Sequence, residues 1–268
     1  MLNQAANTQN KSVHNLSIIL YAIGFVAGLW LAGVTIWANL EASLFDAAMQ
    51  SDETLDTLRC PALLSVTETG LVRATFHNGS ERPLNFFVRA NISNGYVTLM
   101  RQNNARLPLA PGESQELTWA VDAADAAYGR FVLVRVNVLR NPAYPTRDAS
   151  CGIYLFPLPW LTGGQAGALG LGMSLLGMGG GLALRLWRGR AFIGRSRDVT
   201  FVAIWLAVGV VAMMVAGLLR YWIIGVVLVA LSLIMAGVLL ERYVGVSEWS
   251  IVNGQLPIAN RWPLTINN

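Results

Sequence analysis

Two patterns of apolar and polar positions divide this chain. Four stretches run for about 20 residues or more without a charge: Leu16–Ala38, Leu158–Leu184, Val199–Leu219 and Tyr221–Leu240. A helix needs about 20 apolar residues to cross a bilayer core, so each stretch is predicted to be a transmembrane helix. The third and fourth follow each other with almost no loop. As one helix, residues 199–240 would extend about 63 Å, about twice the bilayer core. A hairpin is therefore expected near Leu219–Trp222, with Arg220 reaching head groups and Tyr221 and Trp222 at the interface.

The second pattern lies between the first two apolar stretches. Leu84, Phe86, Val88, Ala90 and Ile92 alternate with Asn85, Arg89 and Asn91. Val132, Val134, Val136 and Val138 alternate in the same way with Arg135 and Asn137, which are expected to point outward to solvent. Val72, Ala74 and Phe76 form a third inward set, and Leu117, Trp119 and Val121 a fourth. Period-two alternation marks strands with one buried face. Turn chemistry separates them at Asn78-Gly79, Asn94-Gly95, Pro111-Gly112 and Asn141-Pro142. Six or seven short strands predict an antiparallel β-sandwich over residues 60–157, inserted between helices 1 and 2. Residues 39–59 read as a connector, partly helical, in which the first helix continues outward until Pro61 halts it.

Charge sets the expected orientation. Arg185, Arg188, Arg190, Arg195 and Arg197 crowd the short segment 185–198. That density is the positive-inside signature, with affinity for anionic head groups as a compatible second role. It places segment 185–198 in the cytoplasm. Alternation then puts the N-terminal tail 1–15 and the C-terminal tail 241–268 in the cytoplasm, and residues 39–157 on the exoplasmic side. The net charge of +4 comes from this segment and gives no sign of nucleic-acid binding. Leu16–Ala38 is too long for a signal-peptide core and is read as an uncleaved anchor. Lysine occurs once, at Lys11, amid abundant alanine and glycine, which points to a bacterial source and a plasma-membrane location. Asn78-Gly79-Ser80 and Asn91-Ile92-Ser93 match the glycosylation acceptor pattern, which carries no meaning in a bacterium.

The second apolar stretch carries nine glycines. Gly163, Gly167, Gly170, Ser174, Gly177 and Gly181 are spaced 4, 3, 4, 3, 4, a single helical seam with almost no side chain. Small residues let a neighbouring helix approach closely in lipid. Gly24, Gly28 and Ala32 form a shorter face of this kind on the first helix. The seam is expected to grip a helix, either of this chain or of another subunit.

The run Leu109-Ala110-Pro111-Gly112-Glu113-Ser114 precedes a strand bearing Trp119, and an Asn-Gly-Ser turn lies about 30 residues upstream. Residues 65–140 thereby resemble the bacterial immunoglobulin-like domains of the cell-adhesion-related (CARDB-type) group. The resemblance implies an Ig-like fold and no common catalytic activity. The two cysteines, Cys60 and Cys151, bracket this block, and an even count on an oxidising side predicts a disulfide.

Chemistry-bearing groups are sparse. None of the four apolar stretches contains Asp, Glu, Lys, Arg or His, the usual marks of proton relays and ion pathways. A lipid or pigment held without a histidine from this chain is compatible with that, and no cofactor or metal is expected. His77 with Ser80 or Ser93 makes no recognisable triad, and Glu113 and Glu116 read as solvated turn positions. Three function classes follow. The leading one is a non-catalytic membrane subunit that scaffolds a larger bacterial complex, respiratory or photosynthetic in type. Its partners would be other membrane subunits and the bilayer, with no nucleic acid and no small-molecule substrate. The others are a membrane-tethered receptor or adhesion module whose sandwich binds a ligand, and a component of a lipid or small-solute transporter.

Overall fold

The computed structural model describes residues 2–47, 51, 53–139, 145–187 and 195–252, with side chains from 15 to 238 inside those bounds except 195–199. Arg188, Arg190, the Asn141-Pro142 turn and the tail beyond residue 252 lie outside the described residues, as do the side chains of Arg195 and Arg197.

Four helices carry the apolar stretches. Helix α1 runs Leu2–Leu44, α2 Gly163–Trp187, α3 Arg195–Leu218 and α4 Trp222–Val252. Three of them contain segments long and apolar enough to cross a membrane: Asn15–Leu44, Gly163–Trp187 and Thr200–Leu218. The fourth apolar segment, Trp222–Val238, is shorter. Several element bounds differ from the sequence reading. The 1–15 segment is helical from Leu2 as part of α1, α2 starts at Gly163 rather than 158, and α4 continues past residue 240 to Val252. At 43 residues, α1 is about 65 Å long and projects beyond a bilayer core.

Between α1 and α2 lie strands β1 (Glu53–Thr54), β2 (Leu63–Ser65), β3 (Gly70–His77), β4 (Leu84–Asn94), β5 (Tyr96–Leu109), β6 (Ser114–Val121), β7 (Phe131–Leu139) and β8 (Arg147–Phe156). One sheet orders them β1-β8-β7-β4-β5 with β2 also on β8, and β3 pairs with β6 in a second sheet. The two sheets share one core that includes Val72, Phe76, Val88, Ile92, Trp119 and Val134. The expected antiparallel sandwich is corrected on one point. β1 and β2 both pair with β8 in parallel, so the larger sheet is mixed. β1 lies in the segment read as a connector, and β2 at the start of the block read as the sandwich.

A second correction concerns the outer face of the large sheet. Arg135 and Asn137 were expected in solvent, yet both are buried. The outer end of α1 lies over β7 and β8, and Ala42 and Phe45 pack on Leu133 and Ala127. Arg135 survives there because its charge is matched. Its Nε donates to Asp148 Oδ2 at 2.8 Å and its Nη1 to the Phe45 carbonyl at 3.1 Å. The second contact satisfies a carbonyl at the C-terminal end of α1, where a cation is favoured by the helix dipole. Asn91 Nδ2 donates to Asp46 Oδ2 at 2.6 Å just past the same helix end.

Candidate functional site

The seam on α2 faces α1. A Cβ on Gly177 would stand 2.7 Å from Gly24 Cα and 2.9 Å from the Leu20 carbonyl oxygen. Conversely, a Cβ on Gly24 would stand 2.5 Å from Met178 N. At this crossing backbone meets backbone, so neither position has room for a side chain. One turn along, a Cβ on Gly28 would overlap Ser174 Oγ and approach Val210 Cγ1 of α3 at 2.5 Å. At the far end Gly181 packs on Ser17 and Tyr21, and Ser17 Oγ donates to the Gly181 carbonyl at 2.7 Å. At the near end a Cβ on Gly170 would stand 3.5 Å from Leu31 and one on Gly167 3.2 Å from Leu63, and Gly163 lies on the Leu63 backbone. Of the two occupants the sequence allowed, the structure places this chain's own α1 and β2 on the seam.

Helix α1 is the hub of the bundle, touching α2, α3 and α4 as well as β7 and β8. Tyr21 Oη donates to the Ala203 carbonyl of α3 at 2.6 Å. Higher up, Thr35 and Ile36 take the space left by Gly217 and Gly225. Asn39, which the sequence reading left in the connector, joins three elements. Its Nδ2 donates to the Thr35 and Gly217 carbonyls at 2.9 and 3.1 Å, and its Oδ1 accepts from the Gly152 amide at 3.4 Å. A Cβ on Gly152 would overlap the Ala38 carbonyl, so β8 lies directly on the α1 backbone.

The start of α2 is held to the sheet as well. Thr162 and Gln165 form a reciprocal cap, with Gln165 N donating to Thr162 Oγ1 at 3.2 Å and Thr162 N to Gln165 Oε1 at 3.1 Å. Glu68, from the turn before β3, accepts from Gly163 N at 2.7 Å and Ser65 N at 3.2 Å, a carboxylate on a helix N-terminus. The Thr-x-x-Gln pattern was readable in the sequence, whereas Glu68 arrives from 95 residues away. Cys60 and Cys151 form a disulfide with Cα atoms 6.5 Å apart, tying the lead-in to β2 onto β8.

Arg185 lies in the last turn of α2, at the end opposite the sheets. Arg220 occupies the turn between α3 and α4 with φ of 63°. Burial and the neighbouring Arg59 push its guanidinium below the usual arginine range, while Asp56 opposes them. His77 closes β3 with Nδ1 2.9 Å from Ser114 Oγ. Ser93 Oγ donates to the Asp125 carbonyl at 2.6 Å, and Ser80 Oγ to Asn78 Oδ1 at 2.7 Å. Glu113 Oε2 accepts from the Ala110 amide at 2.7 Å and closes its turn. Asn78 is fully buried, its Nδ2 shared among the Arg82, Leu109 and Ala110 carbonyls, and Asn91 is 3% exposed. Neither asparagine is available as a glycosylation acceptor in the folded chain.

Two of the concavities among the described residues bear on function. An apolar groove of about 880 Å³ runs between α1 and α2, lined by Leu20, Ile23, Trp160, Leu169, Met173 and Leu176 among others. A cleft of about 530 Å³ with a mixed lining opens between the two sheets, with Glu53, Asp56, Thr57, His77 and Arg147 beside Leu55, Phe86 and Val138. Among the described residues no group of three or more His, Cys, Asp or Glu side chains is placed to hold a metal ion.

No protein-family model matches the chain, and no curated protein does. Among solved structures, similarity is confined to part of the chain. A β-glucuronidase from Bacteroides uniformis is 13% identical at a TM-score of 0.29, covering 36% of this chain and 12% of that one. A superoxide reductase (neelaredoxin) from Ignicoccus hospitalis is 10% identical at a TM-score of 0.27, covering 37% of this chain and 78% of that one. A GH3 β-glucosidase from Bifidobacterium adolescentis is 19% identical at a TM-score of 0.27, covering 43% of this chain and 20% of that one. The chain thus spans about an eighth of the glucuronidase, and likeness at this level assigns it neither a family nor an activity.

Proposed function

We propose that this chain is a non-catalytic integral membrane subunit that scaffolds a larger bacterial membrane complex, with four membrane helices and an Ig-like, CARDB-type sandwich on the exoplasmic side. The observation that carries the reading is the continuity of α1. A single helix passes from the apolar bundle to a buried seat on β7 and β8, with no flexible stalk between bundle and sheets. Asn39, Gly152 and Glu68 fix the junction further. A part that holds two layers at a set angle suits assembly better than signalling by a tethered domain. The absence of ionisable residues from the apolar stretches supports the same class.

The proposed topology keeps residues 39–157 and the Arg220 turn outside and segment 185–198 inside. Two placements support it. Gly217 and Arg220 lie at the sheet end of the bundle, beside Asn39 and Arg59, while Arg185 lies at the other end. Because α1 fills the seam, the surface left for a neighbouring subunit is the rest of α2. It runs from the groove beside α1, where Leu169, Met173 and Leu176 are exposed, to Gly179 and Gly180, on which a Cβ would meet nothing within 4 Å.

Purification in mild detergent tests the proposal. Stoichiometric co-purification with other membrane subunits is expected, and a chain that migrates alone from native membranes would refute it. The cleft beside His77 and Arg147 favours a receptor as the second reading. That reading expects the solitary full chain to bind a soluble ligand, with loss on His77→Ala.

A further inference from the structure

We propose that Arg220, in the turn between α3 and α4, and Arg59, on the segment leading into β2, together hold the phosphate of an anionic lipid head group in the leaflet that adjoins the sheets. The turn itself singles out Arg220. Its backbone N–H donates to the Gly217 carbonyl at 3.2 Å, and that of Tyr221 to the Ala216 carbonyl at 2.9 Å. This pair of bonds is the Schellman closure of a helix, and the left-handed residue inside it is usually glycine. Here that residue is an arginine with φ of 63°, a conformation that costs a non-glycine residue about 1–2 kcal/mol. The cost is maintained for a side chain whose Nη1 is buried and meets no hydrogen-bond partner among the described residues.

The surroundings define the missing partner. Asp56 acts on Arg220 but makes no ion pair with it, and Arg59, the other charge acting on it, is a second cation. Arg59 pairs across backbone hydrogen bonds of 2.7 and 2.9 Å with Arg73, which puts two arginine side chains on one face of the sheet edge. Arg220 Nη1 without a partner and Arg59 beside Arg73 on the sheet edge suit an anion with several acceptor oxygens, since Asp56 does not pair with Arg220. The apolar segment of α3 ends at Leu218 and Tyr221 is exposed, so the pair stands at head-group depth, where phosphate is abundant.

The test uses the full chain in nanodiscs of phosphatidylcholine doped with spin-labelled phosphatidylglycerol or spin-labelled phosphatidylcholine. The wild-type chain is expected to immobilise the anionic label about threefold to tenfold more than the zwitterionic one. Arg220→Gly is the informative variant, because glycine fits the left-handed turn and removes only the guanidinium. It should unfold at an equal or higher temperature while its preference falls several-fold. Arg59→Gln, at an exposed position, should lower the preference without touching the turn. Arg220→Lys should keep part of it. Unchanged preference in Arg220→Gly and Arg59→Gln would overturn the proposal. Displacement of the labelled lipid by inorganic phosphate would assign the site to soluble phosphate and overturn the lipid as its ligand.

Discussion

The amide of Gly152 and the side chain of Asn39 are joined where α1 crosses β8. Oδ1 of Asn39 accepts from Gly152 N at 3.4 Å, while Nδ2 reaches the Gly217 carbonyl at the end of α3. Asn39 is 8% exposed, so its amide has no water to fall back on. Asn39→Leu keeps the volume and strands a buried donor on β8, while the Gly217 carbonyl keeps the Arg220 amide. A loss of about 1–3 kcal/mol is expected, the cost of one stranded buried group. Chemical unfolding of the full chain in detergent measures it. An unchanged midpoint would mean that the junction does not depend on this residue.

The two faces of α2 should respond in opposite ways. Gly24→Leu or Gly177→Leu drives a side chain into facing backbone, which has no rotamer to yield. Overpacking costs about 1–3 kcal/mol where side chains can shift, and more is expected where only the backbone can. Gly179→Leu enlarges a face with nothing within 4 Å, and it should leave unfolding unchanged while stripping the chain from its complex in a native gel. If Gly179→Leu co-migrates with the complex, that face is not the assembly surface.

The elements legible in the sequence were those whose signal is local. Unbroken apolar length marked the helices, and period-two alternation marked Leu84–Ile92 and Val132–Val138 as strands with a buried face. The spacing from Gly163 to Gly181 marked a close-packing seam, and its occupant was not readable because nothing local in α2 specifies α1. Arg135 and Asn137 misled for a related reason. Alternation reports polarity along one strand, whereas their burial comes from Ala42 and Phe45, about 90 residues upstream. Asn39 was hidden because a polar residue just beyond an apolar run is what any membrane helix end presents. Gly152 carried no signal at all, since a single glycine in a strand has several explanations.

Arg135 and Asp148 give a prediction on charge burial. Their side chains are 11% and 14% exposed, under the outer end of α1. Removing one partner leaves the other buried and unmatched, so Arg135→Ala or Asp148→Ala should destabilise by about 3–5 kcal/mol. Replacing both with well-packed apolar residues should cost much less. The double-mutant cycle, read by unfolding in detergent, separates the two outcomes. Additive single effects would mean that the ion pair is not a unit.

The disulfide acts on the unfolded chain rather than on the junction it touches. Cys60 and Cys151 are 91 residues apart, and closing a loop of that length removes about 4–5 kcal/mol of chain entropy from the unfolded state in the polymer model. The α1–α2 contact bridges the same segment from outside, since Gly24 and Gly177 flank both cysteines in sequence. Two closures of nested loops are not independent, because the second closes a chain already shortened by the first. Cys60→Ser with Cys151→Ser should therefore cost less than the full loop value, about 2–4 kcal/mol, while the bundle stays packed. In the background of Gly177→Leu, where the outer closure is weakened, removal of the disulfide should cost more. Thermal unfolding of the four variants under one detergent condition gives the coupling, and a disulfide effect that is the same in both backgrounds would show that the α1–α2 contact does not close the loop in the unfolded state.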